Sequence, residues 1–175
     1  MIAFKVFFFI LFFYYYEACA AADGSVGRTS SGSSNITFTK HPLVKISGLD
    51  DFNLNSPVSL GGGWHDDICV FSSSGSYKIT TYSKQGGMLG YRLANPNVNE
   101  KITYSINFSS NLNSSSGDLL LPGVESSVYS NTTNGSENCS ESVNSRVILN
   151  MDEDSLENSA PGDYYDVLTV IVHPI

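Results

Sequence analysis

Cysteine, tryptophan and base are all scarce in this chain: it has 3 Cys, 1 Trp and only 9 Lys and Arg against 17 Asp and Glu, for a formal charge of −8. So acidic a chain repels nucleic acid and anionic lipid, which excludes both as expected partners. Also absent is any apolar run long enough to span a bilayer, for which about 20 residues are needed. The one long run, Val6 to Tyr16, stops at Glu17. With Lys5 before it and Ala18, Ala20, Ala21 and Ala22 after it, the run has the form of a secretory signal peptide over residues 1–22. Cleavage after Ala20 or Ala22 leaves no stable membrane anchor. The expected location is therefore outside the cytoplasm: the periplasm in transit, then the cell surface or the medium.

Export makes the cysteine count informative. Once Cys19 leaves with the signal, Cys69 and Cys139 remain as an even pair in an oxidising compartment, and they are expected to bond to each other. Closing a loop of about 70 residues restricts the unfolded chain by on the order of 4 kcal/mol in the loop-entropy account.

Residues 23–34 are nearly all Gly, Ser, Ala and Thr and are expected to form a flexible N-terminal tail. Residues 35–175 read as one β domain. The expected strands are Ile36 to Thr39, Leu43 to Ser47, Ile68 to Phe71, Tyr77 to Tyr82, Leu89 to Leu93, Ile102 to Phe108, Arg146 to Met151 and Tyr164 to Val172. In the sixth, Ile102, Tyr104, Ile106 and Phe108 alternate with polar residues, which puts one face in the core. The last has few polar positions and is expected to be covered on both faces or paired centrally. Turn-forming clusters separate the runs, a single helical turn is expected within Glu153 to Ser159, and the fold class is an all-β antiparallel sandwich.

No catalytic pattern emerges. His41, His65 and His173 are scattered, with no nucleophile or carboxylate at a recognised spacing, so the expectation is no enzyme, no catalytic residues, no cofactor and no metal. Asp152, Glu153 and Asp154 lack the pattern of a calcium loop and read as a solvated turn. The segment Gly61 to Asp67 is read as a loop that packs Trp64 against the expected disulfide at Cys69, with Trp64, Asp66 and Asp67 as the candidate ligand residues, for a sugar ring or a cation, on the alternative reading. Asn131, Asn134 and Asn138 begin formal glycosylation sequons within a solvated loop rich in Ser and Asn, where such triplets arise by chance.

Three stretches carry a resemblance. The ending Ala160-Pro161-Gly162-Asp163-Tyr164-Tyr165-Asp166-Val167-Leu168, continuing to Pro174, resembles that of bacterial fimbrial subunits of the spore-coat-U type, which belong to the archaic or alternative chaperone-usher pili. Asp67-Ile68-Cys69-Val70-Phe71-Ser72, with Gly75 to Thr81 and then Ile102 to Ile106, is similar to their first cysteine segment and following strands. Cys139 and Ser145 to Met151 resemble their second cysteine and the strand after it. The resemblance implies an immunoglobulin-like sandwich lacking its last strand, whose groove is filled by a periplasmic chaperone and then by a strand of the next subunit. It further implies an usher and other pilus subunits as partners. On this reading Tyr165, Val167, Thr169 and Ile171 belong to the strand offered to chaperone or subunit. Ile36, Phe38, Val44 and Ile46 are the candidate donor residues, since residues 21–34 offer only Val26. The expected function is a structural or adhesive pilus subunit. The alternative is a self-contained secreted sandwich that binds carbohydrate or calcium.

Overall fold

A computed structural model describes residues 22–54, 63–130 and 143–175. The chain divides into two units, one ending at Lys40 and the other running from His41 to Ile175. In the first, the described residues are all exposed, and Ala22 and Ser33 exchange backbone hydrogen bonds of 3.0 and 3.1 Å. Ile36 and Phe38 form no strand there, and their side chains are 94% and 85% exposed.

Among the described residues, the regular structure of the second unit is strand apart from one short helix. Its elements are β1 (Val44–Ser47), β2 (Trp64–Ser72), β3 (Ser76–Ser83), β4 (Tyr91–Asn95), β5 (Glu100–Ser109), β6 (Asp118–Leu120), β7 (Tyr129–Ser130), β8 (Ser145–Met151), α1 (Glu153–Glu157) and β9 (Leu168–Pro174). One antiparallel sheet runs β1-β2-β8-β5-β4, with β6 also paired to β5, and the other runs β7-β3-β9. The expected all-β antiparallel sandwich is therefore present.

Alternation along the strands builds the core. Ile102, Tyr104, Ile106 and Phe108 turn inward from β5, Ile68 and Val70 from β2, and Val147 and Leu149 from β8. Tyr77 and Ile79 of β3 meet them from the opposite sheet, with Leu168, Val170 and Val172 of β9 packed alongside. Aromatic rings knit the centre: Phe108 lies 4.8 Å from Tyr129 and edge-on to Tyr77 at 6.3 Å, within the range of favourable aromatic pairs. Burial pushes the Tyr77 hydroxyl's pKa up, and that hydroxyl shares a 3.2 Å hydrogen bond with Ser145 Oγ.

Beyond the end of the β2–β8 ladder, the Asn144 side chain substitutes for a strand, accepting from Val70 N and donating to Val70 O at 2.9 Å each. The β2–β3 turn uses Gly75 at φ 79°, a left-handed conformation that a side chain resists, and Gly75 N donates to Ser72 O.

Three expectations are corrected. Trp64 to Asp67 are not loop but the first half of β2, paired in register with Leu149 to Arg146 of β8. β9 is not central: it is the terminal strand of its sheet, and only one face points inward, because Val and Ile favour strand geometry whether or not both faces are covered. Ile36 to Thr39 stand outside the sheets. The short β6 and β7, too brief to show an alternating pattern, were not anticipated.

Candidate functional site: a cleft beside an edge strand

Between the sheets lies an open cleft of about 900 Å³, within the size range of ligand sites. Its apolar floor includes Trp64 of β2, Leu93 of β4, Ile102 and Tyr104 of β5, Leu149 of β8 and Leu168 of β9. Phe52 and Leu54, which follow β1, and Leu156 of α1 border it. α1 begins where Asp152 accepts a hydrogen bond from Ser155 N at 3.1 Å, so one of the three acids read as a solvated turn is a helix cap.

One wall of the cleft is the crossing from α1 to β9, clamped at three places. Glu100 Oε2 accepts from Ala160 N at 3.0 Å and from the Tyr164 hydroxyl at 2.8 Å. Tyr165 and Ala94 exchange backbone hydrogen bonds of 3.0 and 3.1 Å. Asp166 accepts four: from Ser83 Oγ at 2.5 Å, the Tyr104 hydroxyl at 2.6 Å, Val167 N at 2.7 Å and Gln85 N at 2.8 Å. Burial and the neighbouring Asp166 carboxylate push the Tyr104 phenol well above the usual tyrosine range, so it remains a donor at any physiological pH. The crossing thus delivers the chain to β9 in a fixed register.

β9 pairs with β3 from Ser83↔Leu168 to Tyr77↔Pro174, and among the described residues no strand pairs with its other edge. β1 is likewise the terminal strand of its own sheet and lies beside β9. Of the residues expected on the pairing strand, Thr169 and Ile171 lie on the outer face of β9. Tyr165 and Val167 precede it, each about half exposed. Of these four, Tyr165 lines the cleft, as does Leu168 at the start of β9.

The candidate donor residues are split. Val44 and Ile46 already pair with Ser72 and Val70 in β1 and pack against the chain's own core, while Ile36 and Phe38 do not. Trp64 and Asp66 share one face of β2 and Asp67 takes the other, since neighbouring strand residues point to opposite faces. Trp64 lines the cleft, Asp66 Oδ2 accepts from Asp50 N at 2.8 Å, and Asp67 is held by Arg146. Cys69 is buried on β2, while Cys139 lies outside the described residues, as do the three sequons. The clamp residues Glu100, Tyr104 and Asp166 were missed. The signal available was Asp166, a carboxylate in the middle of the apolar stretch before the last strand.

Arg146 donates to both oxygens of Asp67, through Nε at 2.5 Å and Nη2 at 2.9 Å. Those hydrogen bonds chiefly, aided by the guanidinium charge and opposed by desolvation, hold the Asp67 carboxyl below the usual carboxylate range. A lowered folded-state pKa stabilises the fold above the unfolded value of about 3.9, and that stabilisation is lost as pH falls through the folded value. Because the pair is partly exposed, Asp67→Asn is expected to cost about 0.5–1 kcal/mol at pH 7. Urea unfolding at neutral and acid pH checks this, and the difference from the parent should shrink as pH drops below the carboxylate range. No protein-family model matches the chain, and no curated protein does.

Proposed function

We propose that the chain is a structural or adhesive subunit of a surface pilus, an incomplete immunoglobulin-like sandwich that accepts a β-strand from a partner by the chaperone-usher route. The observation that carries the reading is that, among the described residues, no strand pairs with the second edge of β9, which begins at Leu168 in the lining of an apolar cleft. An edge strand offers backbone donors and acceptors to an added strand, and a cleft next to it takes alternate side chains. The clamp at Glu100, Ala94 and Asp166 supports this, because it fixes the edge before any partner arrives. Ile36 and Phe38, two exposed apolar residues at strand spacing, supply the donor half of the proposal, with a Cys69–Cys139 disulfide bracing the acceptor. The calcium form of the alternative loses a ligand, since Asp67 is engaged by Arg146.

The test uses the full chain exported to an oxidising periplasm and a peptide spanning Asn35 to His41. The peptide at 100 times its Kd should stabilise the chain by about 2.7 kcal/mol, a rise in Tm of about 5–10 °C, and slow amide exchange along β9. If neither this nor any other alternating apolar peptide alters β9 exchange or Tm, the proposal is wrong.

A further inference from the structure

The cleft lining is unbalanced in charge. Asp50, Asp51, Asp163 and Asp166 all contribute to it, whereas none of its described residues is Lys, Arg or His. Asp166 is engaged by its four donors. The other three are exposed and form no ion pair among the described residues. They stand on two separate segments, one following β1 and one preceding β9, and both segments border the same apolar floor. The chain's excess of acid over base reinforces the local field.

A strand that seats its apolar residues against Trp64, Leu93, Ile102 and Leu168 brings its flanking residues close to these carboxylates. Bases there are attracted, and acids are repelled. We infer that the cleft selects a partner's extended segment in which alternate large apolar residues are bracketed by Lys or Arg, and rejects the same strand bracketed by acids. The inference rests on the strand-accepting reading above and names the chemistry of the strand accepted.

Three synthetic peptides with one alternating Ile, Phe and Thr core, carrying two lysines, two serines or two glutamates at each end, test it by titration against the full chain. The lysine form is expected to bind about 10-fold or more tighter than the glutamate form at low salt. That gap should close near 1 M salt, where the screening length is about 3 Å. The triple variant Asp50→Asn, Asp51→Asn, Asp163→Asn should lose the preference, its affinities for the lysine and glutamate forms converging. An equal charge change at Asp23, Asp118 and Glu125, outside the cleft, should leave the preference intact. If no peptide binds, the strand-accepting reading itself fails. If all three bind alike, or the cleft triple variant keeps its preference, only the charge selection is overturned.

Discussion

Phe108→Ala is expected to destabilise the domain by about 3–5 kcal/mol, the usual cost of removing a fully buried aromatic ring. The ring is 1% exposed, on the β5 strand that pairs with β8 on one side and with β4 and β6 on the other. It touches Tyr129 and Tyr77, so its loss opens a void that rings from two other strands cannot fill without leaving their own contacts. The Tyr77 hydroxyl is tied to Ser145, which restricts that collapse further. Against a total stability of about 5–15 kcal/mol for such a domain, the change removes a third or more. Urea unfolding of Phe108→Ala beside Thr103→Ala, an exposed position on the same strand, measures it, and the control should stay within about 0.5 kcal/mol. A Phe108→Ala loss below about 1 kcal/mol would mean that the ring does not organise the core.

That position was legible in the sequence because β5 is amphipathic: Ile102, Tyr104, Ile106 and Phe108 are large, and Thr103, Ser105 and Asn107 are polar, so a period of two has one solution. β9 was harder for a reason of the same kind. With Val, Leu and Ile on both faces, the pattern could not distinguish a central strand from an edge strand whose outer face stays apolar, and only the sheet order does so. Trp64 to Asp67 misled because three polar or charged residues behind three glycines look like a loop. In the structure β8 supplies the ladder, and its Arg146 supplies the charge that lets Asp67 sit in a strand.

The cleft itself was illegible. Its floor is assembled from β2, β4, β5, β8 and β9, distant in sequence and brought together by pairing that no local pattern reports. Ile36 and Phe38 show the converse. Their alternation is as good as that of Val44 and Ile46, yet only the latter find a ladder in β2 and a place against the core. Local pattern therefore identified residues able to form a strand, while which of them find a ladder within the chain lay in tertiary pairing.

Asp166→Ala is expected to cost about 2–4 kcal/mol, through donors left unsatisfied at about 1–3 kcal/mol for each one that water cannot reach. Its carboxylate serves four donors from three parts of the chain: Ser83 and Gln85 at the end of β3 and the turn after it, Tyr104 on β5, and the backbone of Val167. Tyr104 is 5% and Ser83 3% exposed, so solvent replaces the lost acceptor poorly at those two. Asp166→Asn keeps the shape but offers one acceptor oxygen and an amide facing donors, so it should recover only part of the loss. Tyr104→Phe removes one donor together with its demand, and should cost less than Asp166→Ala. In a double-mutant cycle the two changes should be coupled by about 0.5–3 kcal/mol, because they share one hydrogen bond in a connected network. Thermal unfolding of the four proteins measures the coupling. A second readout separates a merely stabilising carboxylate from one that sets the edge: amide exchange at Val167 and Leu168 should quicken in Asp166→Ala more than exchange on β5. If exchange rises evenly over the whole domain, the carboxylate contributes global stability without fixing β9, and the edge is held by Glu100 and Ala94 instead.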